Sequence, residues 1–233
     1  MTTLHPTAAT FPKAGIITIE GLDGAGKSSA INIVLRVFKE AGINIDVSRE
    51  PGGTPMAEAI REVHKNPDFS NGGEIISPLT ESLLMFASRT QLYTNISIPR
   101  WQNKGQMTLL DRCWWTTFAY QYFELLPVEQ YETLCNMCLS EVSLDAALYL
   151  DVDPVTGLER AGKRGALDRI ELSGASFFER ARRGYLHLAN QHADIATIID
   201  SNRPYEQVSA DVEAWAKKTA ATIKQKYNIA EDN

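Results

Sequence analysis

The most chemically specific run in the chain is Gly21-Leu-Asp-Gly-Ala-Gly26-Lys27-Ser28. It fits G-x-x-x-x-G-K-[ST] in full, with an apolar β-type run before it and an amphipathic helical pattern after it. Glycines at this spacing permit a tight turn whose backbone N–H groups converge on an anion. The N-terminus of the following helix adds partial positive charge. In this chemistry Lys27 reaches the β- and γ-phosphates of a nucleoside triphosphate, and the Ser28 hydroxyl ligates Mg²⁺. The expected nucleotide contacts are Gly21, Leu22, Asp23, Gly24, Ala25, Gly26, Lys27, Ser28 and Ser29.

Further groups point to a phosphate acceptor. Asp23 lies inside the glycine loop, where it would project toward a second substrate. Arg49-Glu-Pro-Gly-Gly-Thr54 follows a β-type run, and its Pro and Gly residues set a turn that brings backbone close to a ligand. Leu-Leu-Asp111-Arg112 ends another such run. An acid there can hold the water shell of a metal, and the planar fork of Arg112 can grip a phosphate. From Arg160 to Arg169 the chain is rich in cations, with Arg160, Lys163, Arg164 and Arg169 around Gly162 and Gly165. A mobile basic segment of this kind, about 160–172, suits a lid over a transferring phosphoryl group.

The elements that must position these groups alternate between strand and helix. Strands are expected at Gly15–Ile19, around Ile43, Ile45 and Val47, and at Met107–Asp111, Ala146–Asp151 and Ala196–Asp200. Helices are expected from Ser28, with Ile31, Val34, Leu35 and Phe38 on one face and Gly42 as the stop. Others are expected at 81–96, 116–126, 154–163, 177–192 and 205–226. Such alternation predicts an α/β fold, a parallel sheet with helices on both faces and the ligand at the carboxyl ends of the strands.

The chain has 233 residues, 44% of them hydrophobic and 22% charged, the balance of a globular protein. Residues 1–13 read as a loose tail and 14–233 as one domain. No run approaches the roughly 18 apolar residues of a membrane helix, and the N-terminus lacks a signal-peptide core. With three cysteines, this points to a reducing, cytoplasmic setting with no membrane partner. A net charge of −6 weighs against a nucleic-acid partner.

Taken together, GLDGAGKS, REPGGT, LLMFASRTQL, LLDR followed by AYQ, LYLDV and RGALDRIE occur in the order and spacing of bacterial-type thymidylate kinases, and the chain resembles that family from about Gly15 to its last helix. The resemblance implies a P-loop kinase fold with a five-stranded parallel sheet, ATP and Mg²⁺ as cofactors, dTMP as the acceptor, dTDP as product and a homodimer. It implies that Asp23 contacts the sugar 3′-hydroxyl, Arg112 holds the acceptor phosphate, and Asp111 supports metal and phosphate geometry. By the same resemblance Arg89 and Thr117 lie at the base, and Tyr120 packs on the sugar and disfavours a 2′-hydroxyl. Some relatives carry an arginine in the phosphate loop; here Gly24 takes that place, so the lid should supply the catalytic arginine, with Arg164 preferred over Arg160 and Arg169. The family commonly stacks a phenylalanine on thymine four residues before the base-reading arginine. Here Met85 holds that position and Phe86 follows. A thioether is softer and more adaptable than a phenyl ring, so acceptance of other 5-substituted dUMP analogues is expected.

Other signals read as packing or as solvated surface. Cys135-Asn-Met-Cys138 lacks a second ligand pair for zinc. His187 and His192 lack metal spacing, and Arg180, Arg182 and Arg183 read as a charged helix face. Trp114 and Trp115 read as core or dimer packing. A signalling GTPase would need N-K-x-D, and Asn103-Lys104 leads to Gly105-Gln106 instead. Another nucleotide kinase with a different base pocket, or a binding module that has lost catalysis, are the remaining alternatives; the latter would be expected to lose Lys27 or the lid arginines.

Overall fold

A computed structural model describes residues 13–71, 75–163 and 169–229. The expected tail up to residue 12 and Arg164 lie outside these residues. Along the chain β1 (Ala14–Glu20) leads into α1 (Lys27–Glu40), and β2 (Ile45–Arg49) into α2 (Pro55–Lys65) and the short α3 (Asp68–Asn71). Then α4 (Pro78–Leu92), a π-helical stretch at Tyr93–Ser97 and α5 (Ile98–Lys104) precede β3 (Met107–Asp111). The short α6 (Trp114–Thr117), a second π-helical stretch at Phe118–Tyr122 and α7 (Val128–Cys138) lead to β4 (Val142–Asp151). Last come α8 (Pro154–Gly162), a 3-10 turn at Glu171–Ser173, α9 (Ala175–Gln191), β5 (Ala196–Asp200) and α10 (Tyr205–Tyr227).

The five strands form one parallel sheet in the order β2-β3-β1-β4-β5. All seven residues of the central β1 are buried, so both faces of the sheet are covered there. Burying Ile16, Ile17 and Ile19 contributes about 1.5–3 kcal/mol each. The register aligns Ile19 with Asp111 and Leu148, Arg49 with Asp111, and Asp151 with Asp200. The carboxyl ends of the strands therefore gather Glu20, Arg49, Asp111 and Asp151, and the order of strand succession reverses around β1.

Local chemistry explains where several helices begin. Thr54, Ser77 and Asp153 cap α2, α4 and α8 through their side-chain oxygens, each followed by a proline that needs no hydrogen-bond acceptor. Gly42, with φ 73°, ends α1 as expected. Leu35 is only partly buried, whereas Val37 and Phe38 complete the buried face of α1.

The sequence-based helices at 81–96 and 116–126 are each interrupted by a π-helical stretch. Pro99 lacks the N–H that would bond one turn back, and the chain widens before it. The strand around 43–47 runs instead from Ile45 to Arg49, with Ile43 buried just ahead of it. The helix at 55–65, outside the sequence-based set, carries Met56, Ile60 and Val63 at helical spacing but leaves Met56 and Val63 exposed and buries only Ala57 and His64. Among the described residues no helix is long and apolar enough to cross a membrane.

Candidate active site

The turn between β1 and α1 is shaped by Gly21, Gly24 and Gly26, all at positive φ. A Cβ at Gly24 would lie 2.1 Å from the Gly157 carbonyl oxygen of α8, and one at Gly157 would lie 2.7 Å from the Asp23 carbonyl oxygen. Loop and helix thus touch backbone to backbone, and no side chain fits at position 24. Lys27 is buried and donates to the carbonyl oxygens of Gly21 (3.1 Å) and Leu22 (3.0 Å). Burial, then the Arg112 charge, pulls its ammonium down to about 8, despite Asp23, Asp111 and Glu20.

A cavity of about 630 Å³ opens in front of this turn. Its walls carry Asp23, Lys27 and Ser28 from the loop, Arg49 from β2, Asp111 and Arg112 from β3, Met85 from α4, Tyr120 and Gln121 from the second π-helical stretch, and Arg160 from α8. The three strand-end features thus converge on one cleft. Arg112 donates to the Gly21 carbonyl (3.0 Å), Tyr120 Oη (3.2 Å), Tyr185 Oη (3.0 Å) and Asp23 Oδ1 (2.9 Å). Burial raises the Asp23 carboxyl, but Arg112 and Lys27 outweigh it and hold the group well below the usual carboxylate range.

Arg112 sits at φ 71°, a left-handed conformation that costs an ordinary residue on the order of 1–3 kcal/mol. Buried Glu20 supports it. Its carboxylate accepts from Cys113 N (2.6 Å), Thr116 Oγ1 (2.8 Å) and Thr18 Oγ1 (3.0 Å), bracketing the turn. Burial pushes the Glu20 carboxyl up. Sequence reasoning missed Glu20 because an acid inside an apolar strand carries no motif.

It also missed Arg61 and Gln121. Arg61 lines the cavity and donates to the Pro51 carbonyl (3.1 Å). Burial and the charges of Arg49 and Arg112 both disfavour its cation, so three arginines crowd a space that suits an anion. The turn beyond β2, with a cis Glu50–Pro51 bond, is fastened by Gly52 N to Ser88 Oγ (3.1 Å) and Gly53 N to Glu58 Oε1 (2.7 Å). Glu58 also accepts from Arg49 (2.7 Å).

Beneath the cavity wall Arg89 donates to Glu50 Oε2 (2.7 Å) and Thr117 Oγ1 (3.0 Å), and Tyr93 Oη donates to Glu50 Oε1 (2.5 Å). Burial opposes the Arg89 charge, but Glu50 holds it protonated. Arg89 Nη1 and Gln121 Oε1 are buried without a partner. They are an unused donor and an unused acceptor, Arg89 being held by Glu50 and Thr117 and Gln121 by Glu81. Met85 faces the cavity. Phe86 does not: it packs against Tyr131 (6.3 Å between rings) and lies 4.6 Å under the Arg89 guanidinium.

The basic segment divides. Arg160 donates to the Ser201 carbonyl (3.0 Å) and faces both the main cavity and a second one of about 310 Å³, which lies between the glycine loop and the start of α10. Arg169 turns away from the phosphate loop. It pairs with Glu81 (2.5 Å) and donates to the His64 carbonyl (2.7 Å), and it is not among the residues lining the cavity. Arg164 lies outside the described residues.

The charged face expected on α9 divides: Arg183 is exposed and pairs with Glu124 (2.6 Å), while its neighbours pack inward. Arg182 grips Asp151 with two 2.7 Å bonds, and Arg180 donates to the carbonyls of Ala119, Tyr120 and Phe123. His187 stacks on Phe118 and His192 on Trp115, the latter buried in the core. Burial pushes the Cys135 thiol up to about 11. Among the described residues no cluster of His, Cys, Asp or Glu could hold a metal by itself. Asp111 Oδ1, however, is buried without a partner beside the phosphate loop, and with the Ser28 hydroxyl it fits a hydrated cation shared with a nucleotide.

Comparison with known proteins places the chain in a family. The thymidylate kinase family model matches residues 19–212. The chain is 45% identical over 197 residues to a thymidylate kinase of Alteromonas mediterranea, covering 84% of this chain and 86% of that protein. It is 43% identical over 203 residues to one of Vibrio parahaemolyticus, covering 86% and 94%. The fold matches a crystal structure of thymidylate kinase from Ehrlichia chaffeensis with a TM-score of 0.65 at 22% identity, over 88% of this chain and 98% of that one. The chain therefore belongs to the thymidylate kinase family and is a nucleoside monophosphate kinase, a phosphotransferase.

Proposed function

We propose that this kinase transfers the γ-phosphoryl group of ATP to the 5′-phosphate of dTMP, forming dTDP for dTTP synthesis. The observation that carries the reading is the single cleft running from Lys27 and Ser28, past Arg49, Arg61 and Arg112, to Met85 and Gln121. It has room for a donor phosphate chain at one end and a pyrimidine at the other. The smaller cavity beside Arg160 and Ser201 suits the adenosine portion of the donor.

Binding dTMP phosphate would draw Arg112 away from Asp23, freeing Asp23 to accept from the sugar 3′-hydroxyl. Tyr120 would pack on the sugar. At the base, Arg89 Nη1 offers a donor to a ring carbonyl and Gln121 Oε1 an acceptor to a ring N–H, the pattern of thymine. The acceptor phosphate oxygen is already anionic near neutral pH. It forms the new P–O bond as the bond to ADP breaks, with no proton to remove and no strong base required. Positioning and charge neutralisation carry the rate. Ser28 and Asp111 are the residues that would hold Mg²⁺, which would supply charge neutralisation to the nucleotide phosphates. Lys27 and a lid arginine, Arg164 before Arg160, neutralise the charge that spreads over the transferring group.

Met85 supports a further reading, that 5-substituted analogues of dUMP are accepted beside dTMP, because the wall over the base is an adaptable thioether while Phe86 is held in the core. A homodimer is proposed from the family resemblance. A coupled ADP-release assay with ATP, Mg²⁺ and each deoxynucleoside monophosphate tests the assignment, and preference for a purine acceptor would overturn it. Comparing kcat/KM for dTMP, dUMP and 5-hydroxymethyl-dUMP tests the width of the pocket; a strong preference for dTMP alone removes the relaxed reading.

A further inference from the structure

Glu81 touches neither the phosphate loop nor Arg49, Arg61 or Arg112, yet it is buried at the start of α4, 9% exposed. Its Oε2 accepts from Gln121 Nε2 (3.0 Å), and its Oε1 pairs with Arg169 Nη2 (2.5 Å). Arg169 is in turn held by the His64 carbonyl at 2.7 Å and by His64 Nδ1 at 3.1 Å. A guanidinium only donates, so Nδ1 acts as the acceptor in that contact.

This chain of contacts decides which way an amide faces. A glutamine side chain can present either its NH₂ or its oxygen, and nothing intrinsic chooses between them. A carboxylate paired with arginine only accepts, so the Gln121 NH₂ must turn toward Glu81. Its oxygen is then committed to the opposite side, where it is buried without a partner while Gln121 lines the cavity. A flip would set the amide oxygen against the carboxylate and leave both without a donor, a costly arrangement in a buried site.

We propose that Glu81 is a positioning residue for base selectivity. By fixing the Gln121 amide it makes the cleft accept pyrimidines that carry N–H at ring position 3 and reject those with a bare nitrogen there. Arg169 and His64 hold the Glu81 carboxylate in place. The inference rests on the acceptor reading given above and adds the residue that sets its donor–acceptor polarity.

The test is kcat/KM for dTMP against 5-methyl-dCMP, which keeps the methyl group and inverts the hydrogen-bonding pattern, in the wild type and in Glu81→Gln. A glutamine at 81 can donate as well as accept, so it no longer dictates the Gln121 orientation. The dTMP to 5-methyl-dCMP ratio should fall by at least about tenfold, with KM for dTMP rising and KM for ATP nearly unchanged. A merely structural role would lower both substrates together and leave the ratio where it was, because both are measured on one preparation. Should Glu81→Gln not fold, Glu81→Asp withdraws the carboxylate from Gln121 while keeping its charge and should lower the same ratio. A wild type that prefers dTMP, with an unchanged ratio in the variant, overturns the role of Glu81 alone. A wild type that does not turn over dTMP overturns the acceptor reading and this inference with it.

Discussion

The two ends of the cleft are built from different materials. At the donor end the ligand-facing groups are mostly backbone amides, set by glycines at fixed spacing and by the start of one helix. At the acceptor end they are side chains from β2, β3, α4 and the second π-helical stretch, several of them held by partners distant in sequence. Gly24 meets Gly157 backbone to backbone. Arg89, by contrast, depends on Glu50 and Thr117, and Gln121 on Glu81. A donor end of this kind tolerates variation elsewhere in the fold. The acceptor end can change its chemistry through any of several supports, which is where selectivity is adjusted.

The largest effects should fall at the donor end. Lys27→Ala and Arg164→Ala are each expected to cut kcat by about 10³ while circular dichroism and melting stay near wild type. Near-normal turnover in Lys27→Ala would dissolve the contrast, since the loop would then not be where charge is neutralised. Arg112→Ala should act on the acceptor instead, raising KM for dTMP by about 10² with a smaller change in KM for ATP. An unchanged KM for dTMP would mean that the acceptor phosphate sits elsewhere.

Smaller effects sharpen the comparison. Met85→Phe should shift selectivity toward dTMP over 5-hydroxymethyl-dUMP by about three- to tenfold, read from the ratio of kcat/KM values. An unaltered ratio would assign base width to other residues. The mildest effect concerns pH. Lys27 must be charged to hold phosphates, and burial sets it at about 8 in the free protein. The kcat/KM for ATP should therefore be level below about pH 8 and decline above it. The folded value lies below the ordinary 10.5, so the cost of burying this charge is present below about pH 8 and fades as pH rises toward 10.5. A profile flat through pH 9.5 would contradict the placement of Lys27.

The same contrast governs what could be read from the chain before its structure. α2 went unread although Met56, Ile60 and Val63 stand at helical spacing, and periodicity did not register where a helix widens, as at Tyr93–Ser97 and Phe118–Tyr122. It took Arg180, Arg182 and Arg183 for a solvated face, which holds for the exposed Arg183, although Arg182 binds Asp151 and Arg180 binds the backbone of the Tyr120 segment. The family resemblance carried Arg89, Thr117 and Tyr120 to their region, but it could not separate Met85, which faces the cleft, from Phe86, which does not.

By itself the amino-acid sequence determined the strand–helix alternation, the glycine loop with its lysine and serine, and the strand-end placement of Arg49, Asp111 and Arg112. All of these follow from short-range spacing and backbone preference. Only the tertiary structure decided that Glu20 braces the Arg112 turn, that Arg61 joins two other arginines, that Arg169 pairs with Glu81, and that the Gln121 NH₂ faces Glu81. Each of those outcomes depends on partners tens of residues apart, and a buried polar group takes its role from whichever partner the packing brings within about 3 Å.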